Sequence, residues 1–166
     1  MDSKTIIEKL KLLPHPEGGY FKEIYRSNEI IKNSGLPERF EGDRNFGTSI
    51  YYLLEKEQFS TFHKLKSDET WHFYYGASLL LHIIDENGNY KKIILRNDLT
   101  NNEVFQYTVL RNCWFAAEVS DKKSFSLIGA TVAPGFNFSD FEMGKREELI
   151  SQFPEHKEII TRLTRS

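Results

Sequence analysis

His63 and Glu69 lie six positions apart in the stretch Phe62-His-Lys-Leu-Lys-Ser-Asp-Glu-Thr-Trp-His-Phe-Tyr-Tyr-Gly76, between two runs that read as β-strands. If one strand ends in a tight loop and the next begins, an imidazole and a carboxylate at this spacing can face one interior. There they could hold a metal, orient a ligand or move a proton. A His near a carboxylate in apolar surroundings can have its pKa tuned for general acid–base work. As metal ligands the two are too few, because structural zinc takes four and catalytic zinc three. His72 could complete a set of His63, Glu69 and His72. Strand alternation turns His72 away from Glu69, Trp71, Phe73 and Tyr75 unless a bulge intervenes. The plain alternative is a His and a Glu that satisfy one another in a core.

Aromatic residues near this pair offer walls for a ring or sugar face. Trp71, Phe73, Tyr75 and Trp114 are the candidates, with Phe115 beside them, although alternating aromatics also build ordinary cores. Glu118 follows Ala116-Ala117 and could point into the same interior or form a surface salt bridge. Cys113 has no catalytic partner nearby and reads as an inert thiol. A Gly-rich phosphate loop, a Ser-His-Asp order and a CxxC pair are all missing, so nucleoside triphosphate chemistry and triad hydrolysis have no support.

The elements that must position these groups follow from periodicity. The spacing predicts a short N-terminal helix capped by Asp2 or Ser3, with Ile6, Ile7, Leu10 and Leu13 on one face and Pro14 as its stop. The turn Pro14-His-Pro-Glu-Gly-Gly19 leads into an alternating strand, Tyr20–Arg26. Residues 27–46 are polar and carry Gly35, Pro37 and Gly42, which predicts a surface loop. Strands are predicted at 48–55, 59–66, 69–75, 78–85, 90–96, 103–109, 113–119 and 124–132. Asn87-Gly88 marks the clearest hairpin. Eight short strands at regular spacing predict an antiparallel sandwich or barrel. Helical periodicity returns at Lys145–Phe153 and Glu155–Arg165, separated by Pro154.

Composition bounds the rest. The chain has 166 residues, which fits one domain spanning 1–166 with room for a sizeable core. Its 13 Phe and 8 Tyr favour an aromatic-rich β core. A formal charge of −2, with no basic stripe, predicts no nucleic-acid partner. The lack of a long apolar run predicts no membrane span, and the charged N-terminus no signal peptide. A single cysteine fits a reducing, cytoplasmic location.

Four stretches in order resemble an uncharacterised family of the cupin superfamily: Pro14-His-Pro-Glu-Gly-Gly-Tyr-Phe21 with Tyr25-Arg-Ser27, Thr48–Leu54, Phe62–Gly76 and Ala133-Pro-Gly-Phe-Asn-Phe-Ser-Asp-Phe141. The resemblance implies an all-β double-stranded β-helix, a jelly-roll barrel, with flanking helices and a homodimeric state. Cupin metal sites use three His and one Glu. This chain keeps His63 and Glu69 but has Leu65 at the second His position and Phe115 at the third. In the second cupin motif, Leu110 stands at the Pro position and Asn112 at the Gly position, where Asn tolerates left-handed backbone.

Cupins include metal-dependent oxygenases, metal-free sugar-nucleotide epimerases and binding proteins, so fold does not fix function. The epimerases use a barrel His as base and a Tyr as acid. By that resemblance His63 is the base, Glu69 sets its protonation, and Tyr51, Tyr52, Tyr75 or Tyr107 is the acid. The leading expectation is a small-molecule-binding cupin with no cofactor, acting as a metal-independent isomerase or epimerase on a carbohydrate-like or other polar ring compound. A metal-dependent oxygenase or isomerase using a divalent ion, and a non-catalytic dimeric binding module, are the alternatives. Glu17, Arg26 and Asp140 are expected to be structural, with Asp140 capping the following helical region or reaching toward Arg26.

Overall fold

In the computed structural model, residues 1–165 are described, and they build two antiparallel sheets around one apolar interior. Helix α1 (Ser3–Leu10) comes first, followed by strands β1 (Leu13–Pro14), β2 (Tyr20–Arg26), β3 (Ile30–Ile31), β4 (Arg44–Asn45), β5 (Thr48–Glu55) and β6 (Phe59–Leu65). Then come β7 (Asp68–Gly76), β8 (Leu79–Ile84), β9 (Tyr90–Leu95), β10 (Gln106–Val109), β11 (Trp114–Val119), β12 (Phe125–Ala133) and β13 (Phe141–Met143). Helices α2 (Arg146–Gln152) and α3 (Lys157–Arg162) close the chain.

One sheet runs β1-β2-β5-β12-β7-β10 and the other β13-β6-β11-β8-β9. The fold is an all-β jelly roll, and the alternating strands give each sheet an inner and an outer face. Inside, Leu54, Trp71, Leu81, Phe115, Ile128 and Val132 meet in a single core. Outside the five-stranded sheet, Phe62, Trp114 and Ala116 pack under Leu149, Phe153, Ile160 and Leu163 of the C-terminal helical region. Outside the six-stranded sheet, Leu53 and Leu127 pack under Ile6 of α1 and Leu12. Each fully buried Leu, Ile or Phe contributes about 1.5–3 kcal/mol.

Several expectations about local structure change. Asp2 does cap α1, accepting the Thr5 N–H at 2.8 Å. However, Lys11 adopts a left-handed conformation, φ 55°, and ends the helix before Leu13. Leu12 is therefore the buried residue, while Leu13 is 64 % exposed. Asn112 takes positive φ, 63°, and Asp85–Asn89 closes the β8–β9 hairpin with Gly88 at φ 83°.

The segment between β2 and β5 is more than a surface loop. It holds the β3–β4 ribbon, and Arg44 from that ribbon is buried. Its guanidinium makes a two-pronged pair with Asp140, both bonds at 2.6 Å, and donates to the carbonyls of Glu41, Gly42 and Asp43. Asp140 thus reaches Arg44 and not Arg26, whose partners are Glu23, Asn45 and the Phe136 carbonyl. Removing one member strands a buried charge. Asp140→Ala should lower stability by about 3–5 kcal/mol in denaturant unfolding. A loss under about 1 kcal/mol would place this pair with ordinary surface bridges.

Candidate functional site

The jelly roll leaves a cavity of about 350 Å³ between its sheets. Its depth is polar, with His15, Glu17, Tyr52, His63 and Glu69, and its walls include Phe21, Ile50, Leu65, Trp71, Ala130 and Val132. Glu23, Arg26 and the segment Phe136–Phe138 stand beside them.

Two chain segments supply most of the polar groups. On β6 and β7, alternation directs His63, Glu69 and Trp71 inward from either side of the Ser67 turn. The turn before β2 supplies His15 and Glu17. It closes with bonds from His15 N–H to Gly19 O and Gly18 N–H to His15 O, both 3.0 Å. Gly18 and Gly19 have φ of 117° and 72°, and a Cβ on either would collide with a carbonyl oxygen, of Phe59 or Leu53. The backbone therefore lies flat against β5 and β6 and sends the Glu17 side chain inward.

The hydrogen bonds fix the protonation pattern. His63 Nδ1 lies 2.7 Å from the Thr61 carbonyl, so Nδ1 carries the proton and donates. Its Nε2 is then a lone pair, 3.4 Å from Glu17 Oε2. Glu17 Oε2 also accepts from the Ser60 hydroxyl at 2.7 Å, and Glu69 Oε2 accepts the Trp71 indole N–H at 2.9 Å. His15 Nδ1 accepts the Glu17 backbone N–H at 3.2 Å, which leaves the neutral ring its proton on Nε2. Phe115 packs against the His63 ring with centroids 4.0 Å apart.

Burial moves every one of these groups toward its neutral form. It lowers His63, with the Glu69 charge and the Thr61 carbonyl pulling back, and it lowers His15 against the pull of Glu17. It raises Glu17, and it pushes Glu69 up to about 7 despite the opposing charge of His63. Tyr52 rises well above its usual range, through burial and then the Glu17 charge, so it keeps its proton. At neutral pH the cavity offers an unprotonated imidazole nitrogen beside carboxyls poised to hold or release protons.

Of the residues expected to form the site, His63, Glu69 and Trp71 meet at this cavity. Phe73 packs against the interior core but does not line it. Tyr75 is turned outward because the β7–β12 register shifts at Tyr74, pairing Phe73 with Ile128 but Tyr75 with Leu127. His72 lies on the outer face, bonded to Gln106 and Thr131, so it cannot join His63 and Glu69. Trp114 and Glu118 share the outer parity of β11. Trp114 lies in the helix-facing core, and Glu118 is clasped by His82, Lys122 and Arg162. Burial opposes those bonds but does not prevail, and Glu118 is held well below the usual carboxylate range.

Among the four candidate acids, Tyr52 alone reaches the cavity wall, with its O–H donated to the Gly18 carbonyl at 2.6 Å. Sequence reasoning overlooked His15 and gave Glu17 a purely structural role. The signal was present: a rigid Pro-His-Pro-Glu-Gly-Gly turn whose only functional side chains are one His and one Glu.

The geometry defines a barrel with a buried His–Glu cluster, and comparison with known proteins assigns its class. The family model described as Cupin superfamily (DUF985) matches residues 4–144, and the chain belongs to that family. It is 32 % identical over 154 residues to the uncharacterized protein YML079W of Saccharomyces cerevisiae, covering 87 % of this chain and 76 % of that one. Among solved structures it resembles protein SO0799 from Shewanella oneidensis, with TM-score 0.90 and 34 % identity over 99 % of this chain and 98 % of that one. A hypothetical protein from Leishmania major matches with TM-score 0.90 and 30 % identity across both full chains. Oxalate decarboxylase from Bacillus subtilis matches at TM-score 0.54 and 16 % identity, over 90 % of this chain and 36 % of that one, a likeness of fold alone.

The donor set does not fit the three-His, one-Glu metal centre of cupins. Leu65 and Phe115 fill two of its positions with buried hydrocarbon. Among the described residues, no three His, Cys, Asp or Glu side chains converge as one ion's ligands would.

The Glu69 shift has a measurable consequence. An unfolded chain ionises this carboxyl near 4.5, while the folded protein holds its proton to about 7. That contribution to stability is whole below pH 4.5 and is lost as pH rises through about 7. Glu69→Gln cannot ionise, so its stability should improve relative to wild type, by on the order of 2–3 kcal/mol across this window. Unfolding curves that stay parallel at all pH values would contradict a buried, neutral Glu69.

Proposed function

We propose that this protein is a metal-independent isomerase or epimerase that moves a proton on a carbohydrate-like or other polar ring compound held in the barrel. The observation that carries the reading is the fixed tautomer of His63. Its Nδ1–H is committed to the Thr61 carbonyl, and the basic Nε2 lies 3.4 Å from Glu17. A neutral imidazole in this position can take a proton from carbon next to a carbonyl group. The resulting imidazolium would lie beside Glu17 and Glu69, which would stabilise it by giving up their own protons. His15 Nε2–H is the available acid for the developing oxyanion, and Tyr52 O–H would have to leave the Gly18 carbonyl to serve as a second. Phe21, Trp71 and Ile50 would exclude water and cover the flat face of a ring.

A homodimer belongs to this proposal. Beyond Phe21, the outer edge of β2 has no paired strand among the described residues, and Ile24 and Tyr25 are exposed there. A second copy would cover them. Among the described residues, no helix is long and apolar enough to cross a membrane.

The test is deuterium wash-in. Unphosphorylated ketoses, aminoketoses and cyclic ketones are incubated with the protein in heavy water and followed by mass spectrometry. Exchange at the carbon beside the carbonyl is expected, and His63→Gln should slow it by about 10²–10⁴-fold, the usual contribution of a general base. Exchange that survives in His63→Gln, or none across the panel, would rule out this chemistry.

A further inference from the structure

The charged groups around the cavity are unevenly divided: two carboxyls face it, and its Arg26 is already paired. Glu17 and Glu69 each use Oε2 on a protein donor, Ser60 or Trp71, and neither Oε1 has a hydrogen bond among the described residues. Each Oε1 becomes a free acceptor once a bound cation draws its carboxyl into the ionised form. His63 Nε2 adds a third acceptor, since its other nitrogen is the donor to Thr61. Against these stand neutral donors only, among them the Thr48 hydroxyl and the Asn137 amide, whose oxygens accept from Phe136 N–H and Ser139 N–H. The Ser60 hydroxyl and the Trp71 indole are already committed, as is Tyr52 O–H to Gly18. His15 Nε2–H is left over as well, because Nδ1 accepts from the Glu17 backbone.

Positive charge is scarce. Among the described residues, Arg26 is the single Lys or Arg lining the cavity. Its Nε and Nη2 bond to the two Glu23 oxygens at 3.0 and 2.7 Å, and Nη1 bonds to Asn45 and the Phe136 carbonyl. A phosphate would therefore meet two carboxyls and a nitrogen lone pair with no free cation to receive it. Its own charge would stay unbalanced away from water and would oppose ionisation of both carboxyls. A ligand with N–H donors and a positive charge would instead satisfy both free carboxyl oxygens. Phe21, Tyr52 and Trp71 would present π faces to it.

We propose that the barrel cavity takes a small ring compound bearing a protonated nitrogen, and that it turns away anionic and phosphorylated ligands. This deepens the acid–base reading and rests on the same cavity being the ligand site. It also separates this chain from epimerases that act on sugar nucleotides, whose diphosphate needs free cations.

Three probes of matched shape test the assignment: benzamidine, benzamide and benzoate, with inorganic phosphate alongside. Each is titrated into the full chain at millimolar concentration, with Trp71 indole N–H followed by NMR. Benzamidine should bind most tightly and shift the Trp71 signal, while benzoate and phosphate leave it unmoved. Glu69→Gln and Glu17→Gln should each weaken benzamidine by about tenfold or more, the scale of a charge-assisted hydrogen bond. Thermal unfolding of both variants shows that they remain folded.

Benzoate or phosphate binding as tightly as benzamidine would overturn the proposal. So would benzamidine that fails to bind, that binds without moving Trp71, or that binds both folded variants as well as wild type. The deuterium experiment reports separately. Exchange lost in His63→Gln while benzoate is preferred defeats the charge assignment alone. Benzamidine preferred with no exchange on any ketone defeats the acid–base chemistry alone.

Discussion

Water exclusion is the constraint on which the rest depends. Four ionisable side chains, His15, Glu17, His63 and Glu69, sit where an aromatic-rich barrel admits little solvent. Low dielectric penalises each charged form, so imidazoles lose protons and carboxyls keep them. The fold tolerates the cluster because much of it is bonded to rigid structure: Thr61 and Ser60 on β6, Trp71 on β7, and the backbone of the Gly18-Gly19 turn. Partial satisfaction leaves a site that can still exchange protons and still bind.

A second His–Glu pair in the same molecule shows how environment decides the role. His82 and Glu118 are buried on the outer side of β8 and β11, 3.1 Å apart. There Arg162 and Lys122 complete the carboxylate, Tyr90 takes the remaining His82 nitrogen at 2.7 Å, and neither residue lines the barrel cavity. Glu118 consequently stays ionised and fastens α3 to the sheet. Glu17 and Glu69 lack such cations and are shifted the other way. Identical residue types thus become a clamp in one place and a proton-handling cluster in another.

The strands were legible because each was a short run of β-branched and aromatic residues between turn formers, and the register carried His63, Glu69 and Trp71 to the same interior. Parity failed where the backbone departed from regularity. The shift at Tyr74 reverses Tyr75 in a way that residue types do not announce. For Trp114 and Glu118 the error was of another kind: the alternation held, but which face of β11 looked inward depended on helices elsewhere in the chain. Arg44–Asp140 spans 96 positions, and no local pattern links them. His15 and Glu17 belonged to a turn whose glycines drew attention to its backbone, while its side chains did the converging.

The C-terminal residues bear on the cavity from behind. The Leu163 carbonyl accepts from Phe62 N–H at 2.9 Å and from the Thr61 hydroxyl at 3.1 Å, and Arg165 donates to the Glu17 carbonyl at 3.1 Å. Thr61 also holds His63, so the last turn of the molecule braces the strand and the loop that carry the polar cluster. On the ribosome, then, nearly the whole barrel is translated before these braces exist. A nascent chain stalled short of Leu163 would leave the edge of β6 unbraced and part of an apolar sheet face uncovered, a surface for chaperones.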